Sequence, residues 1–194
     1  MTAESDSNAE HRVLIAGFGG QGILTAGKIL CKAAINEGQN ATYMPSYGTE
    51  VRGGTCNCHV VISPREIFSP YVESADSLVI LNELSYERFH GLLRPGGLLV
   101  LNASMVSLDD YERPSECRLL AIPATEIAND MGNVLVANVM LLGGFIGATG
   151  ICSEETVEQT IRDWLGDEKK VHIPLNLKAF RRGLQMATEC VTDS

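Results

Sequence analysis

The chain has 194 residues, of which 45% are hydrophobic and 20% are charged, as is typical of one globular domain with a substantial buried core. Acidic residues outnumber basic residues by 24 to 15, which disfavours nucleic acid as a partner because phosphate backbones are repelled. The longest apolar stretch, residues 134–150, contains Asn138 and four glycines. It is shorter than the roughly 20 apolar residues that cross a bilayer, so we expect no membrane segment.

Residues 1–10 are polar and acidic, with neither the basic nor the apolar region of a secretion signal. We expect them to form a flexible tail and the protein to be cytoplasmic. From residue 11 to residue 194 the chain has no repeat, low-complexity tract or linker. These residues are therefore predicted to form a single domain.

The six cysteines include no C-x-x-C pair, and only Cys56 and Cys58 lie close together. Iron-sulfur clusters and structural zinc are normally held by spaced thiolate pairs. We therefore expect this chain to hold no metal and its cysteines to be reduced thiols in the core.

Short apolar runs alternate with helical patterns along the first two thirds of the chain. A buried strand is predicted at residues 13–16, and a helix with one apolar face follows over residues 21–36. A second strand is expected at residues 41–44, and residues 55–63 show the clearest strand alternation of the chain. Further strands are predicted at residues 78–81, 98–101 and 118–122. This pattern favours an α/β fold, with a mainly parallel sheet of about six strands and helices on both faces.

The last third of the chain is predicted to be helical. Residues 134–149 are nearly all apolar, and Ser153 precedes two glutamates as the N-cap of a second helix. Pro174 can open a final helix. One face of that helix is apolar and is expected to dock against the sheet or a partner; it carries Leu177, Phe180, Leu184, Ala187 and Val191.

The segment Gly17-Phe18-Gly19-Gly20-Gln21-Gly22 has the G-x-G-x-x-G spacing between a predicted strand and a predicted helix. In that context the loop directs backbone N–H groups and a helix N-terminus toward a phosphate. A dinucleotide site also needs an acidic residue at the end of the second strand. Glu37 precedes that strand and Glu50 lies beyond it, so NAD is disfavoured. The alternative is that the glycines serve only a tight turn and close helix packing.

A second glycine-rich segment, Ser46 to Gly54, directly follows the second predicted strand. Ligands collect at the carboxyl edge of open sheets, so we expect a binding loop here. Arg52, beside Gly53 and Gly54, could offer a guanidinium and N–H groups to a phosphate or carboxylate. A Glu50–Arg52 ion pair that merely stabilises the loop is the alternative.

Both glycine-rich segments, in this order and at this separation, resemble the gamma subunit of the pyruvate, 2-oxoisovalerate and 2-oxoglutarate ferredoxin oxidoreductases. The resemblance extends over about residues 11–187. Thr49 stands where relatives often have proline. The segments that carry the resemblance are Gly17 to Gly22, Ala26-Gly27, Ser46 to Gly54, Ile62-Ser63 and Asn176 to Phe180.

The resemblance implies a Rossmann-like three-layer sandwich that belongs to an enzyme complex. In such complexes a 2-oxoacid is decarboxylated on thiamine diphosphate, electrons pass through iron-sulfur clusters to ferredoxin, and coenzyme A captures the acyl group. The family places thiamine diphosphate and the clusters on alpha and beta partner subunits, with or without a delta subunit, and not on this chain. The resemblance implies that this chain helps to bind coenzyme A. We assign that role to the residues of the two glycine-rich segments, namely Gly17, Gly19, Gly20, Gln21, Gly22, Ser46, Tyr47, Glu50, Arg52, Gly53 and Gly54.

No residue of this chain is predicted to be catalytic. His59 and His172 have no partner evident from the sequence, and Ser63 does not lie in a nucleophile elbow. The resemblance therefore implies a subunit that is inactive alone. Two alternatives stay open, namely a scaffold subunit that binds no small molecule and a free NAD(P)-dependent dehydrogenase. The sequence does not select one 2-oxoacid over another.

Overall fold

A computed structural model describes residues 10–47, 55–108, 114 and 116–191. Most of the predicted tail and residues 48–54 of the second loop lie outside the described residues. The described residues form six strands and six α-helices. They are β1 (His11–Phe18), α1 (Ile23–Asn36), β2 (Asn40–Tyr47), β3 (Thr55–Ser63), β4 (Ala75–Ile80), α2 (Glu83–Phe89), β5 (Leu93–Asn102), β6 (Arg118–Ile122), α3 (Ala124–Asp130), α4 (Ala137–Thr149), α5 (Glu154–Leu165) and α6 (Ile173–Val191).

The six strands form one sheet in the order β2-β3-β1-β4-β5-β6. Strands β1, β4, β5 and β6 pair in parallel, whereas β3 is antiparallel to both of its neighbours, β1 and β2. Five strands therefore run in one direction, and the mainly parallel α/β sheet expected from the sequence is confirmed. The sequence pattern gave no sign that β3 separates β2 from β1.

Side chains from the two faces of the sheet enter two separate hydrophobic clusters. The larger cluster joins alternate residues of the strands, such as Val13 and Ile15 of β1, to helices α1, α4, α5 and α6. The smaller cluster joins the other residues, such as Leu14 of β1, to Tyr86 and Phe89 of α2. Helices therefore cover both faces, which gives the expected three layers, although the layer that contains α2 is thin.

The cysteines of the described residues are free. Cys56 and Cys58 lie on the same face of β3, as the alternation predicted, and both enter the larger cluster with Cys31. Burial, with smaller contributions from Cys56 and Cys31, raises the pKa of Cys58 to about 12. These thiols are therefore neutral core residues. Within the described residues, no group of His, Cys, Asp and Glu side chains is arranged to hold a metal ion, and none of the helices there could cross a membrane.

The helices of the last third lie where the sequence predicted them. Ser153 caps α5 by accepting a hydrogen bond from the Thr156 N–H at 3.2 Å, and Pro174 lies in the first turn of α6. The apolar face of α6 is buried from Leu177 to Ala187. Val191 ends the helix, but its side chain lies outside the described residues.

Helices α4 and α6 pack with their backbones in direct contact. A Cβ atom at Gly183 of α6 would overlap the carbonyl oxygen of Met140, and one at Gly143 of α4 would overlap that of Phe180. Only glycine permits this separation, because any other residue would push the two helices apart. The contact explains why α4, which is buried over residues 137–146, contains so many glycines.

We predict that Gly183→Ala lowers the free energy of unfolding by about 2 kcal/mol or more, because the methyl group must displace a backbone atom of α4. The matched control is Gly91→Ala, since a Cβ there meets no described atom within 4 Å. Urea denaturation of both variants measures the difference. Equal midpoints for the two variants would contradict the close helix contact.

A polar cluster lies at the opposite edge of the sheet from the glycine loop. The Nε2 atom of His11 lies 3.0 Å from the Ser77 hydroxyl oxygen. Asp76, which is 7% exposed, accepts a hydrogen bond from the Arg12 N–H at 2.5 Å and forms an ion pair with Arg94. Burial lowers the pKa of His11; the charge of Asp76 opposes that shift, and the charge of Arg94 adds to it. The folded state therefore favours the neutral imidazole.

Because the folded-state pKa of His11 is below its unfolded value near 6.5, its contribution to stability is complete above about pH 6.5. It is lost as the pH falls through the folded-state pKa, with a slope of at most about 1.4 kcal/mol per pH unit for one proton. We predict that His11→Gln reduces this slope in unfolding experiments between pH 7.5 and 5. An unchanged slope would show that His11 does not titrate differently in the two states.

Candidate functional site

The described residues that flank the two predicted loops lie at one edge of the sheet because β3 runs antiparallel. Cys56, near the start of β3, pairs with Gly17 near the end of β1 on one side and with Tyr47 at the end of β2 on the other. Adjacent strands lie about 4.8 Å apart, so the ends of β1 and β2 are roughly 10 Å apart. This carboxyl edge carries the glycine loop, Gly17 to Gly22, and the strand ends that hold the second loop.

The glycine loop forms a tight turn that opens α1. The Gln21 N–H donates to the Phe18 carbonyl at 3.2 Å, and Gly20 and Gly22 have φ angles of 95° and 77°, which favour glycine. Gly22 is the N-cap of α1, and no described side chain caps the helix. Gly19 and Gly20 are exposed, so a ligand could approach the uncapped N–H groups of the first turn.

The side chain of Gln21 folds back onto the loop. Its Oε1 accepts a hydrogen bond from the Phe18 N–H at 2.7 Å and another from the Asn82 Nδ2 at 3.1 Å. Asn82 lies two residues beyond the end of β4 and is 1% exposed. It also caps α2, because its Oδ1 accepts from the Ser85 N–H at 2.9 Å. Gln21 therefore positions the loop through its oxygen, whereas its predicted contact with coenzyme A stays a prediction.

Two more buried asparagines support the same edge. The Asn138 Nδ2 donates to the Gly22 carbonyl at 2.9 Å, which ties α4 to the start of α1. The Asn102 Nδ2, at the end of β5, donates to the Thr125 hydroxyl at 2.8 Å and to the Leu81 carbonyl at 3.2 Å. The sequence analysis missed Asn82 and Asn102. Their signal was a polar residue placed directly after each of the predicted strands at residues 78–81 and 98–101.

The second loop is described only where it joins the sheet. Ser46 is exposed at the end of β2 and pairs with Asn57 of β3, and Tyr47 ends that strand. Its predicted site residues Glu50, Arg52, Gly53 and Gly54 lie outside the described residues, as does the alternative Glu50–Arg52 ion pair. Their contacts with a ligand stay predictions.

Arg88 of α2 is a cation at this edge that the sequence analysis did not single out. Its Nη1 donates to the Thr55 hydroxyl at 2.8 Å, and Thr55 pairs with Phe18 at the start of the glycine loop. No short motif marks this residue. The two partners are 33 positions apart, and only the fold brings them together.

His59 has a structural partner in the folded chain. Its Nδ1 accepts a hydrogen bond from the Val72 N–H at 3.0 Å, so it fastens the segment between β3 and β4 to the sheet. Burial lowers the pKa of His59 and favours the neutral ring. This role agrees with the interpretation of His59 as a structural residue.

The position of β2 also bears on the dinucleotide alternative. In dinucleotide-binding folds the second strand lies directly beside the first, and the acid at its end reaches the ribose. Here β3 lies between β1 and β2. The side chain of Glu37 accepts a hydrogen bond from the Ser153 N–H at 2.7 Å, away from the carboxyl edge. The geometry therefore does not support an NAD site.

A mainly parallel sheet, a glycine loop that opens a helix and a switch in connectivity beside that loop define a Rossmann-like α/β protein. Residues 12–186 match the pyruvate ferredoxin/flavodoxin oxidoreductase family. The chain belongs to that family. The resemblance predicted from the sequence is thereby confirmed.

Two curated relatives illustrate the range of the family. Ketoisovalerate oxidoreductase subunit VorA of Methanothermobacter marburgensis is 39% identical over 180 residues, which are 92% of this chain and 37% of VorA. The chain thus spans little more than a third of that relative. 2-Oxoglutarate synthase subunit KorC of Methanothermobacter thermautotrophicus is 38% identical over 184 residues, which are 91% of this chain and 95% of KorC.

Solved structures share the fold. The gamma subunit of a keto/oxoacid ferredoxin oxidoreductase from Geobacter sulfurreducens superposes with a TM-score of 0.82 at 28% identity, covering 93% of this chain and 98% of that one. 2-Oxoglutarate:ferredoxin oxidoreductase from Magnetococcus marinus, solved with 2-oxoglutarate, coenzyme A and succinyl-CoA bound, superposes with a TM-score of 0.85 at 23% identity. The superposition covers 93% of this chain and 31% of the Magnetococcus marinus chain. At this identity the likeness establishes the fold.

We predict that Gln21→Ala lowers the free energy of unfolding by about 1–3 kcal/mol, because the Phe18 N–H and the Asn82 amide lose their acceptor. Gln21→Glu keeps an oxygen in the same place and should retain most of that stability. Chemical denaturation of both variants measures the difference. Equal losses would show that the acceptor role is not what stabilises the loop.

Proposed function

We propose that this chain is the gamma-type subunit of a 2-oxoacid:ferredoxin oxidoreductase complex and contributes to coenzyme A binding. The observation that carries the proposal is the glycine loop at the uncapped start of α1, on the edge where β2 ends and β3 begins. The near-complete match to the KorC subunit, 95% of its length, supports the subunit assignment.

The described residues of the edge suit the phosphates of coenzyme A. The first turn of α1 offers backbone N–H donors and the positive end of a helix dipole. Exposed Gly19 and Gly20 leave room for close approach, since a Cβ at either would meet no described atom within 4 Å. The neutral amides behind the loop hold it without adding negative charge. Tyr47 and the four predicted residues outside the described part, Glu50, Arg52, Gly53 and Gly54, complete the proposed site.

The proposed complex supplies the chemistry that this chain lacks. Thiamine diphosphate and iron-sulfur clusters would be bound by alpha and beta subunits, with or without a delta subunit, and ferredoxin would accept the electrons. Coenzyme A supplies the thiol that takes up the acyl group. The role of this chain is to bind and orient that cosubstrate, in a complex that we place in the cytoplasm.

The names of relatives narrow the substrate to the class of 2-oxoacids. VorA is a ketoisovalerate oxidoreductase subunit, KorC is a 2-oxoglutarate synthase subunit, and an Archaeoglobus fulgidus relative, 29% identical, is an indolepyruvate oxidoreductase subunit. These substrates share the 2-oxoacid group and differ in the side chain. We therefore propose a 2-oxoacid substrate whose identity is set outside this chain.

The first experiment is anaerobic affinity isolation of the tagged chain from its native cell, with identification of the co-purifying chains. The isolated material is then assayed for coenzyme-A-dependent reduction of ferredoxin by a panel of 2-oxoacids. Thiamine-binding and iron-sulfur chains that co-purify, together with activity on one oxoacid, would support the proposal. A chain that elutes alone and binds NAD would replace it with the dehydrogenase alternative.

The Gln21→Glu variant distinguishes an effect on coenzyme A binding from an effect on folding in that complex. The carboxylate keeps the hydrogen bonds of the loop but puts a negative charge on the loop that is proposed to bind the phosphates, where like charges repel. We predict a tenfold or greater rise in the Kd for coenzyme A, measured by calorimetry on the assembled complex. Intact assembly with unchanged affinity would favour the scaffold alternative.

A further inference from the structure

Helix α2 connects the glycine loop to the start of β3. At its beginning, Asn82 donates to Gln21 of the loop and at the same time caps the helix. Near its end, Arg88 donates to Thr55, the first residue of β3. Two buried or directional contacts therefore set where α2 lies relative to the carboxyl edge. A charged side chain near the end of α2 therefore has a fixed position relative to the glycine loop.

The Arg88 guanidinium is suited to an anion at that place. It has five N–H donors, and the hydrogen bond to Thr55 at 2.8 Å uses one of them. Its central carbon lies 5.3 Å from the centre of the Phe89 ring, which orders the side chain. Arg88 is nevertheless exposed. An ordered guanidinium that stays open to solvent can bind a phosphate with little loss of conformational entropy.

An independent observation concerns Asn57, two residues beyond Thr55 on β3. Alternation along the strand puts both side chains on the same face, about 7 Å apart. Asn57 is 5% exposed, yet its Oδ1 accepts no hydrogen bond within the described part of the chain. A buried acceptor without a donor is costly, so a bound group with an N–H or O–H would be favoured there. Coenzyme A has both phosphates and such donors.

We propose that Arg88 contacts a phosphate of coenzyme A, that Asn57 accepts a hydrogen bond from the same ligand, and that Asn82 is a positioning residue for Arg88. The inference rests on the proposed function and extends its site to residues that neither glycine-rich segment contains. The ligand would lie over the end of β1 and the beginning of β3, between the first turn of α1 and the end of α2. Its negative charge would face a helix N-terminus on one side and a guanidinium on the other.

The test measures Kd values for coenzyme A by calorimetry on the assembled complex, with Arg88→Gln, Arg88→Lys and the control Arg65→Gln. Arg65 is also exposed, but it follows the end of β3 at the opposite edge of the sheet, far from the proposed site. Arg65→Gln removes the same charge as Arg88→Gln, so it controls for the change in net charge. We expect Arg88→Gln to weaken binding about tenfold, Arg88→Lys to weaken it less, and Arg65→Gln to have no effect. The salt dependence of binding should fall only in the Arg88→Gln complex.

Repeating the titration with 3′-dephospho-coenzyme A identifies the phosphate. If Arg88→Gln weakens coenzyme A but not the dephosphorylated form, Arg88 contacts the 3′-phosphate. If it weakens both, Arg88 contacts the pyrophosphate. Equal affinities of the wild-type and Arg88→Gln complexes for coenzyme A would overturn this inference and leave the proposed function standing. A wild-type complex that does not bind coenzyme A would overturn both.

Asn82→Ser tests the positioning role. Serine is as good an N-cap as asparagine, so α2 stays capped, but the hydrogen bond to Gln21 is lost. We expect the KM for coenzyme A to rise while kcat is unchanged. The double variant with Arg88→Gln should lose less affinity than the sum of the two single losses, because part of the effect of Asn82 passes through Arg88. Additive losses in the double variant would show that Asn82 does not act through Arg88.

Discussion

The antiparallel strand β3 is the constraint on which the candidate site depends. Its first residues pair with the end of β1 on one side and with the end of β2 on the other. A parallel strand in that place would start at the opposite edge of the sheet and would not bring its preceding loop to the glycine loop. One reversed strand thus brings the glycine loop and the strand residues that flank the second glycine-rich segment to the carboxyl edge, and it distinguishes this chain from dinucleotide-binding folds.

The groups that hold this edge together are uncharged amides. Gln21, Asn82, Asn102 and Asn138 supply both donors and acceptors, so each can join two elements without leaving a buried charge. Carboxylates would satisfy the same N–H groups, but they would oppose a phosphate ligand. These amide side chains therefore hold the loop in place without repelling a negatively charged ligand.

The elements with strong periodicity could be predicted from the sequence, whereas their pairing could not. The buried run at residues 13–16 and the apolar face of α6 indicate a strand and a docking helix because those patterns reflect local burial. The insertion of β3 beside β1 depends on contacts about 45 residues apart, as between Leu14 and His59. The bonds of Asn138 to Gly22 and of Arg88 to Thr55 are equally nonlocal. A polar residue after a buried strand was the one available signal, for Asn82 and Asn102.

The displacement of β2 changes where a ligand can lie. In a dinucleotide site the cofactor extends from the glycine loop toward the end of the adjacent parallel strand, where an acid binds the ribose. Here the neighbour of β1 on that side is the beginning of β3, with Thr55 and the guanidinium of Arg88. An acidic group that would bind hydroxyls is thus replaced by a cation that would bind a phosphate. A ligand with phosphates near both the helix N-terminus and the neighbouring strand fits this edge better than one with a ribose there, and this fit is the ground on which we propose coenzyme A and not NAD.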